Sequence, residues 1–325
     1  MIRLIDVHSH WSTKRGYVLR SEAELALQNH TWHSNPAYRT ETEMADDFRT
    51  SGVQVILDFG FTKFLPIDEA QSTHDYGFEF QKQNRDVVLG HWIHVQAEHG
   101  KPALDEFRRC IDRSPGFIGL AVSGSGGLPG SDPAWDPFYK LCIEANVPAL
   151  VFVGTTGLGS GMPGGSGIIL DHCHPRHLDA VAARYPKLTI VAGRPGWPWQ
   201  TETNAVIIHK ANIWCELHGW SPKYFSADLL HEIPRRLSER VMFGADYPLL
   251  TYERLVEDWH GLDFGEDVLG KVFFHNAQRF LSQVRNGASL ATCPSRQKLP
   301  PPGLVHHKGV SACPNSPSTA CPRPD

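Results

Sequence analysis

The chain lacks the features that mark membrane, secreted and zinc-ribbon proteins. No apolar run approaches the ~18–20 residues that a bilayer span needs, which excludes a spanning helix. The first residues, MIRLIDVHSHW, reach a charge at Arg3 and offer neither a secretory apolar stretch nor a cleavage site. Positive charge is not in excess. With 31 Lys and Arg against 35 Asp and Glu, the formal net charge is −4, and a dedicated nucleic-acid binder is not expected. Among seven cysteines no pair stands in C-x-x-C spacing. Cys110, Cys142, Cys173 and Cys215 read as scattered small hydrophobes, and Cys293, Cys313 and Cys321 fall in the C-terminal stretch. The expectation is a cytoplasmic protein that handles a small molecule and binds neither membrane nor nucleic acid.

What is present is a regular alternation. Apolar runs at Arg3–Val7, Val53–Asp58, Val87–Val95, Phe117–Val122, Val147–Val153, Leu188–Ala192, Ala211–Leu217 and Val241–Ala245 predict strands. They are rich in Val, Ile and Leu without a polar face, as expected of a parallel sheet buried on both sides. Helical patterns fall between them at Thr40–Ser51, Lys101–Arg113, Asp136–Glu144, His177–Tyr185 and Trp199–His209, and a longer one follows at Asp267–Leu281. Eight such units in about 280 residues fit a (β/α)8 TIM barrel in length. A doubly wound sheet shares the alternation but needs a Gly-rich phosphate turn after its first strand, and none is present. Gly154–Gly167 holds seven glycines in fourteen residues and reads as a flexible βα loop; no Gly-Lys-Ser/Thr follows it, so it is not a P-loop. Residues 1–283 are expected to form the barrel. Residues 284–325, dense in Pro and Ser without periodicity, are expected to be a disordered tail.

Eighteen histidines are a heavy load. His8 and His10 are two apart on the first strand, so they share a face, and at the C-terminal end of a barrel strand that face is the active-site mouth. Asp246 ends the last strand in Gly244-Ala245-Asp246-Tyr247-Pro248, which barrel closure brings beside the first. A carboxylate facing two imidazoles can ligate a metal or act as a general base. Arg194 follows the sixth strand in Gly193-Arg194-Pro195-Gly196-Trp197-Pro198-Trp199 and suits a clamp for a carboxylate or an oxyanion. Of His91 and His94 only one can face the barrel interior, and His94 is nearer the mouth. His94, His218 and Trp11 are the candidate substrate contacts, Trp11 by stacking on a planar ring.

The D-V-H-S-H, G-A-D-Y-P and P-G-W-P-W segments, in that order, resemble the amidohydrolase-2 (amidohydrolase-related) family of the amidohydrolase superfamily, aminocarboxymuconate-semialdehyde decarboxylase-like branch, over roughly residues 2–282. The resemblance implies an amidohydrolase-like TIM barrel that either hydrolyses amides or lactones or decarboxylates unsaturated or aromatic acids. It carries His8, His10 and Asp246 over as metal ligands. Two family histidines are absent: the fifth strand runs Val151-Phe152-Val153-Gly154-Thr155 without one, and the seat after the sixth strand holds Arg194. A guanidinium about 5 Å from a divalent ion repels it by roughly 6–7 kcal/mol at an effective dielectric near 20. Some lactonases of the superfamily work without metal, so the cofactor is either none or one divalent metal, zinc or manganese. Asp171, His172 and His174 are candidate replacement ligands.

Three functions remain open. The first is hydrolysis of a lactone, amide or ester of a small planar organic acid, expected to be anionic, with Asp246 as base, His8 and His10 polarising the carbonyl or holding a metal, and Arg194 gripping the anion. The second is a metal-assisted carboxy-lyase. The third is a catalytically inactive barrel used for binding. A homo-oligomer through the tryptophans of Trp197–Trp199 is compatible with each.

Overall fold

In a computed structural model of the chain, which describes residues 3–17, 22–33, 37–113 and 116–284, eight parallel strands lie in sequence order. They are β1 (Leu4–Ser9), β2 (Val53–Asp58), β3 (Val88–His94), β4 (Phe117–Val122), β5 (Ala149–Phe152), β6 (Ile190–Gly193), β7 (Ile213–Glu216) and β8 (Val241–Met242). Each expected strand is found, several trimmed at the ends. The expected tail lies outside the described residues.

β8 is two residues long, and its junction with β1 is made largely by the segment that follows it. Val7 N donates to the Phe243 carbonyl at 3.0 Å, Asp246 N to the His8 carbonyl at 3.0 Å and His10 N to the Tyr247 carbonyl at 2.7 Å. The side chain of Asp6 completes the seam by accepting from Ala245 N (3.1 Å), the Tyr252 hydroxyl (2.8 Å) and His8 N (3.0 Å). Burial pushes the Asp6 carboxyl up to about 7 against the pull of these donors. The last helical stretch, Glu266–Gln283, contains a π turn at Lys271–His275. Within it the Val272 carbonyl accepts from Phe243 N at 3.0 Å, tying the end of β8 to the helix.

That stretch also stoppers the barrel. Ala277, Phe280, Leu281 and Val284 pack with Ile5, Val7, Ile56, Trp92, Leu150, Val191 and Met242 in a cluster separate from the larger one under the outer helices. With one end filled by apolar side chains, polar residues can gather only at the other, where the strands end.

Among the described residues four helices were not expected: Glu22–Trp32 within the first βα connection, Ile67–Gln83, Ala227–Glu232 and Tyr252–His260. Among the described residues no helix is long and apolar enough to cross a membrane.

Candidate active site

Strand length and alternation place the polar side chains. His8 and His10 sit at the end of β1, Asp58 ends β2, His94 ends β3 and Glu216 ends β7, with Arg194, His218 and Asp246 in the residues just past β6, β7 and β8. They surround a cavity of about 160 Å3 lined by His10, Asp58, Lys63, His94, Arg194 and Asp246, with Phe61, Phe152, Trp220 and Leu250 as apolar wall. His8 and His218 do not line it. They lie beneath it, stacked with ring centroids 3.6 Å apart and planes 4° from parallel. Burial and their mutual proximity lower His8 to about 3; burial likewise lowers His218 to about 3, so both are neutral imidazoles.

The β6–β8 side is internally bonded. His218 Nδ1 meets Glu216 Oε1 at 2.6 Å, and His218 N donates to the other Glu216 oxygen at 2.9 Å. The Nδ1–H tautomer leaves the Nε2 lone pair to accept from Arg194 Nε at 3.3 Å. Arg194 also donates to the Thr155 carbonyl at 2.9 Å and lies over the Phe152 ring. Burial pushes the Glu216 carboxyl up to about 7.

The β1–β3 side is different. His94 Nε2 meets Asp58 Oδ2 at 2.9 Å. His8 Nε2 stands 3.6 Å from Asp58 Oδ2, and His10 Nδ1 stands 3.8 Å from Asp58 Oδ1. Neither is a hydrogen bond. His8 Nδ1 and Nε2, His10 Nδ1, Asp58 Oδ1 and Asp246 Oδ1 are buried without a hydrogen-bond partner. Asp246 Oδ1 lies 3.0 Å from His10 Nε2. Burial alone would raise the Asp246 carboxyl, but His10 and the neighbouring histidines outweigh it and hold the group far below the usual carboxylate range. Burial pulls His10 down, yet the carboxylates of Asp246 and Asp58 leave it raised.

Two donor groups at the mouth bring one ligand atom from each residue within 4.8 Å of the others: His8, His218 and Asp246, and His8, His10 and Asp58. The trio His8, His10 and Asp246, expected as ligands, is not such a group among the described residues, although Asp246 Oδ1 lies 3.0 Å from His10 Nε2. In the His218 group the Nε2 lone pair is already taken by Arg194. In the Asp58 group the ring nitrogens of His8 and His10 and a carboxylate held below its ordinary range face one another unbonded, a donor set that a divalent transition metal could use.

Other expectations need correction. Trp11 does not reach the cavity. It follows His10 on the opposite face and is fully buried in the outer layer, stacked on Phe59 and His91 at 5.4 and 5.5 Å. His91 shares that layer and donates from Nδ1 to the Gly116 carbonyl, while His94 faces the cavity. His218 accepts from Arg194 and lines no part of the cavity. The replacement ligands are engaged elsewhere: Asp171 pairs with Arg176, His172 bonds the Gly127 carbonyl, and His174 caps the helix Pro175–Arg184. The Gly-rich loop is a wall, since Thr155–Leu158 line the cavity together with Gln28 and Trp32 of the helix Glu22–Trp32, and Trp32 Nε1 donates to Ser160. Asp58, Lys63 and Glu216 were not expected. Lys63 is buried beside the cavity and donates to the Ser125 carbonyl at 2.7 Å.

A parallel eight-stranded barrel with histidines, carboxylates and an arginine at the strand ends defines a TIM-barrel enzyme fold. The chain belongs to the amidohydrolase family, whose model matches residues 5–283. No curated protein matches it. Solved structures share the fold at low identity. An uncharacterised TIM-barrel protein from Bordetella bronchiseptica is 17% identical, with a TM-score of 0.67 over 87% of this chain and 99% of the other. The 5-carboxyvanillate decarboxylase from Sphingomonas paucimobilis is 15% identical, with a TM-score of 0.62 over 86% and 98%. A dihydroxybenzoic acid decarboxylase from Polaromonas sp. JS666, with bound manganese and 2-nitroresorcinol, is 14% identical, with a TM-score of 0.64 over 88% and 99%.

Proposed function

We propose that the chain is a hydrolase that cleaves the acyl C–O or C–N bond of a lactone, ester or amide of a small, planar, anionic acid. One observation carries the reading: an ionised carboxylate, Asp246, and a permanent cation, Arg194, line the same cavity of about 160 Å3. That volume suits one ring, since an apolar protein cavity of about 150 Å3 accepts benzene.

Charge development favours hydrolysis. Water adds to a neutral carbonyl, Asp246 accepts its proton, and the new oxyanion forms where Arg194 and Lys63 stabilise it. Collapse breaks the acyl bond, and the leaving alkoxide or amine takes back the proton held by the Asp246–His10 pair. The product carboxylate carries more negative charge than the substrate's acyl group, so the two cations bind the later states more tightly than the ground state. Decarboxylation runs the other way, removing a carboxylate as neutral carbon dioxide. His10 is oriented by the 3.0 Å contact with Asp246, and Glu216 orients Arg194 through His218. A divalent cation held by His8, His10 and Asp58 would add Lewis-acid polarisation of the carbonyl.

A carboxy-lyase reading is supported by the decarboxylases among the structural neighbours; there Asp246 would return a proton to carbon. Product analysis on a panel of monocyclic lactones, esters, amides and aromatic acids decides. Stoichiometric acid release without carbon dioxide is expected. Carbon dioxide release would replace hydrolase by lyase, and no turnover on any member would leave a binding protein.

A further inference from the structure

Three tryptophans from separate connections meet beside the cavity. Trp32 ends the helix Glu22–Trp32, Trp197 follows β6 and Trp220 follows β7. Trp220 stands in the middle, its ring 5.6 Å from that of Trp32 at 82° and 5.6 Å from that of Trp197 at 41°. Trp32 and Trp220 also line the cavity, so the cluster is continuous with it. We infer that Trp32, Trp197 and Trp220 form a stacking subsite for a second, uncharged aromatic ring of the substrate. It rests on the hydrolase reading for the first ring and narrows that reading to an aryl ester or anilide of the small anionic acid. Water added across the acyl bond then releases the acid and a phenol or aniline, whereas a monocyclic lactone would leave the rim bare.

The indoles at the two ends of the cluster are fixed to the Gly-rich connection. Trp32 Nε1 donates to Ser160 Oγ at 2.8 Å, and that hydroxyl donates to the Thr156 carbonyl at 3.2 Å. The Trp197 carbonyl accepts from Thr155 N at 2.8 Å. Glycine permits both approaches. A Cβ on Gly154 would stand 2.7 Å from the Trp197 carbonyl oxygen, and one on Gly161 would stand 2.7 Å from Thr31 Oγ1, next to Trp32. An indole already fixed in place, with part of its surface open, loses little freedom when a ring stacks on it.

Size and charge select the occupant. Trp32 is 39% exposed and Trp197 is 45% exposed. At up to about 250 Å2 per indole, the two present about 200 Å2, far below the roughly 800 Å2 per partner of a stable dimer. One ring matches that area. The cavity of about 160 Å3 is filled by the first ring, so a second has to lie outside it. Indole faces also attract cations, but a cationic group here would be repelled by Arg194 and Lys63, which line the adjoining cavity.

Binding tests the subsite apart from the reaction. The full chain is titrated with 2-naphthol by calorimetry, alone and with saturating benzoate as a single-ring anion for the cavity. One equivalent of naphthol per chain is expected, with benzoate bound beside it. Trp197→Ala should weaken naphthol by about tenfold; the side chain is half exposed, so its removal spares the core. Absence of naphthol binding, binding unchanged in Trp197→Ala, or displacement by benzoate would overturn the subsite. So would a wild-type dimer in sedimentation velocity that Trp197→Ala turns into a monomer, because a second copy would then cover the rim. In turnover, the kcat/KM preference for a phenyl over a methyl ester of the same acid should fall about tenfold in Trp197→Ala, and an unchanged preference would overturn the subsite as well. Naphthol binding that depends on Trp197, without turnover of any ester or anilide, would retire the hydrolase reading and keep the subsite.

Discussion

The two halves of the mouth hold similar inventories and use them differently. On the β6–β8 half, Glu216, His218 and Arg194 run as one bonded chain in which every nitrogen of His218 has a partner. On the β1–β3 half, His8, His10 and Asp58 approach one another and stop short of bonding. The difference traces to one residue. A guanidinium donates and never accepts, so Arg194 consumes the lone pair that a metal would need from His218 and closes that half. The open valences are left across the barrel. One residue at a strand end therefore decides which half of the rim keeps unpartnered polar atoms.

Breaking that contrast should begin at Asp246. Asp246→Asn is nearly isosteric but cannot accept a proton from water, and turnover should fall by at least about 100-fold. Retention of more than about a tenth of wild-type turnover would remove Asp246 as the base. Arg194→Met keeps the stem over Phe152 and removes the charge; transition-state stabilisation for an anionic substrate should drop by about 2–4 kcal/mol in kcat/KM. It also strips the donor from a buried nitrogen of His218, so chemical denaturation should show a loss of about 1–3 kcal/mol. Unchanged kcat/KM toward every carboxylate substrate would end the clamp assignment. Arg194→His sharpens the contrast from the other direction. It offers a lone pair on the closed half, and zinc affinity measured by calorimetry should rise by about tenfold. The smallest effect is on pH. Burial would raise the Asp58 carboxyl, but His94 and His8 hold it well below its ordinary 3.8. A depressed folded value stabilises the protein above the unfolded value and is lost as pH falls below it. Wild-type stability should therefore decline on acidification below about pH 4 more steeply than that of Asp58→Asn, and parallel slopes would show that the carboxylate is not held.

Much of the scaffold was legible because parallel strands buried on both faces are written in plain apolar runs. The helix Ile67–Gln83 was not, for a definite reason. Its buried face is Ala70, Thr73, His74, Gly77 and Gln81 as much as Phe78 and Phe80, so the apolar period is broken. Gly77 is there because a Cβ would stand 2.0 Å from the Phe59 ring. Asp58 and Glu216 carry the same signal that singles out Asp246, an apolar strand ending in a carboxylate, but no motif surrounds them to set them apart. Trp11 illustrates the reverse error: alternation with His10 already turned it away from the mouth. Lys63 had no local signal at all. A lysine in a loop reads as solvated, and only the approach of Ser125 from another connection buries it.

Arg194 and Asp246 share one further property. Both hold positive φ, 77° and 65°, in the left-handed region that a side chain other than glycine enters at a cost of order 1 kcal/mol or more. The proposed chemistry and the backbone therefore pull in opposite directions at these two positions, and glycine would relax both backbones. In a lineage released from selection for turnover, these are the sites where drift toward glycine meets least resistance. A descendant that keeps the barrel but carries glycine at either place would record when its chemistry was abandoned.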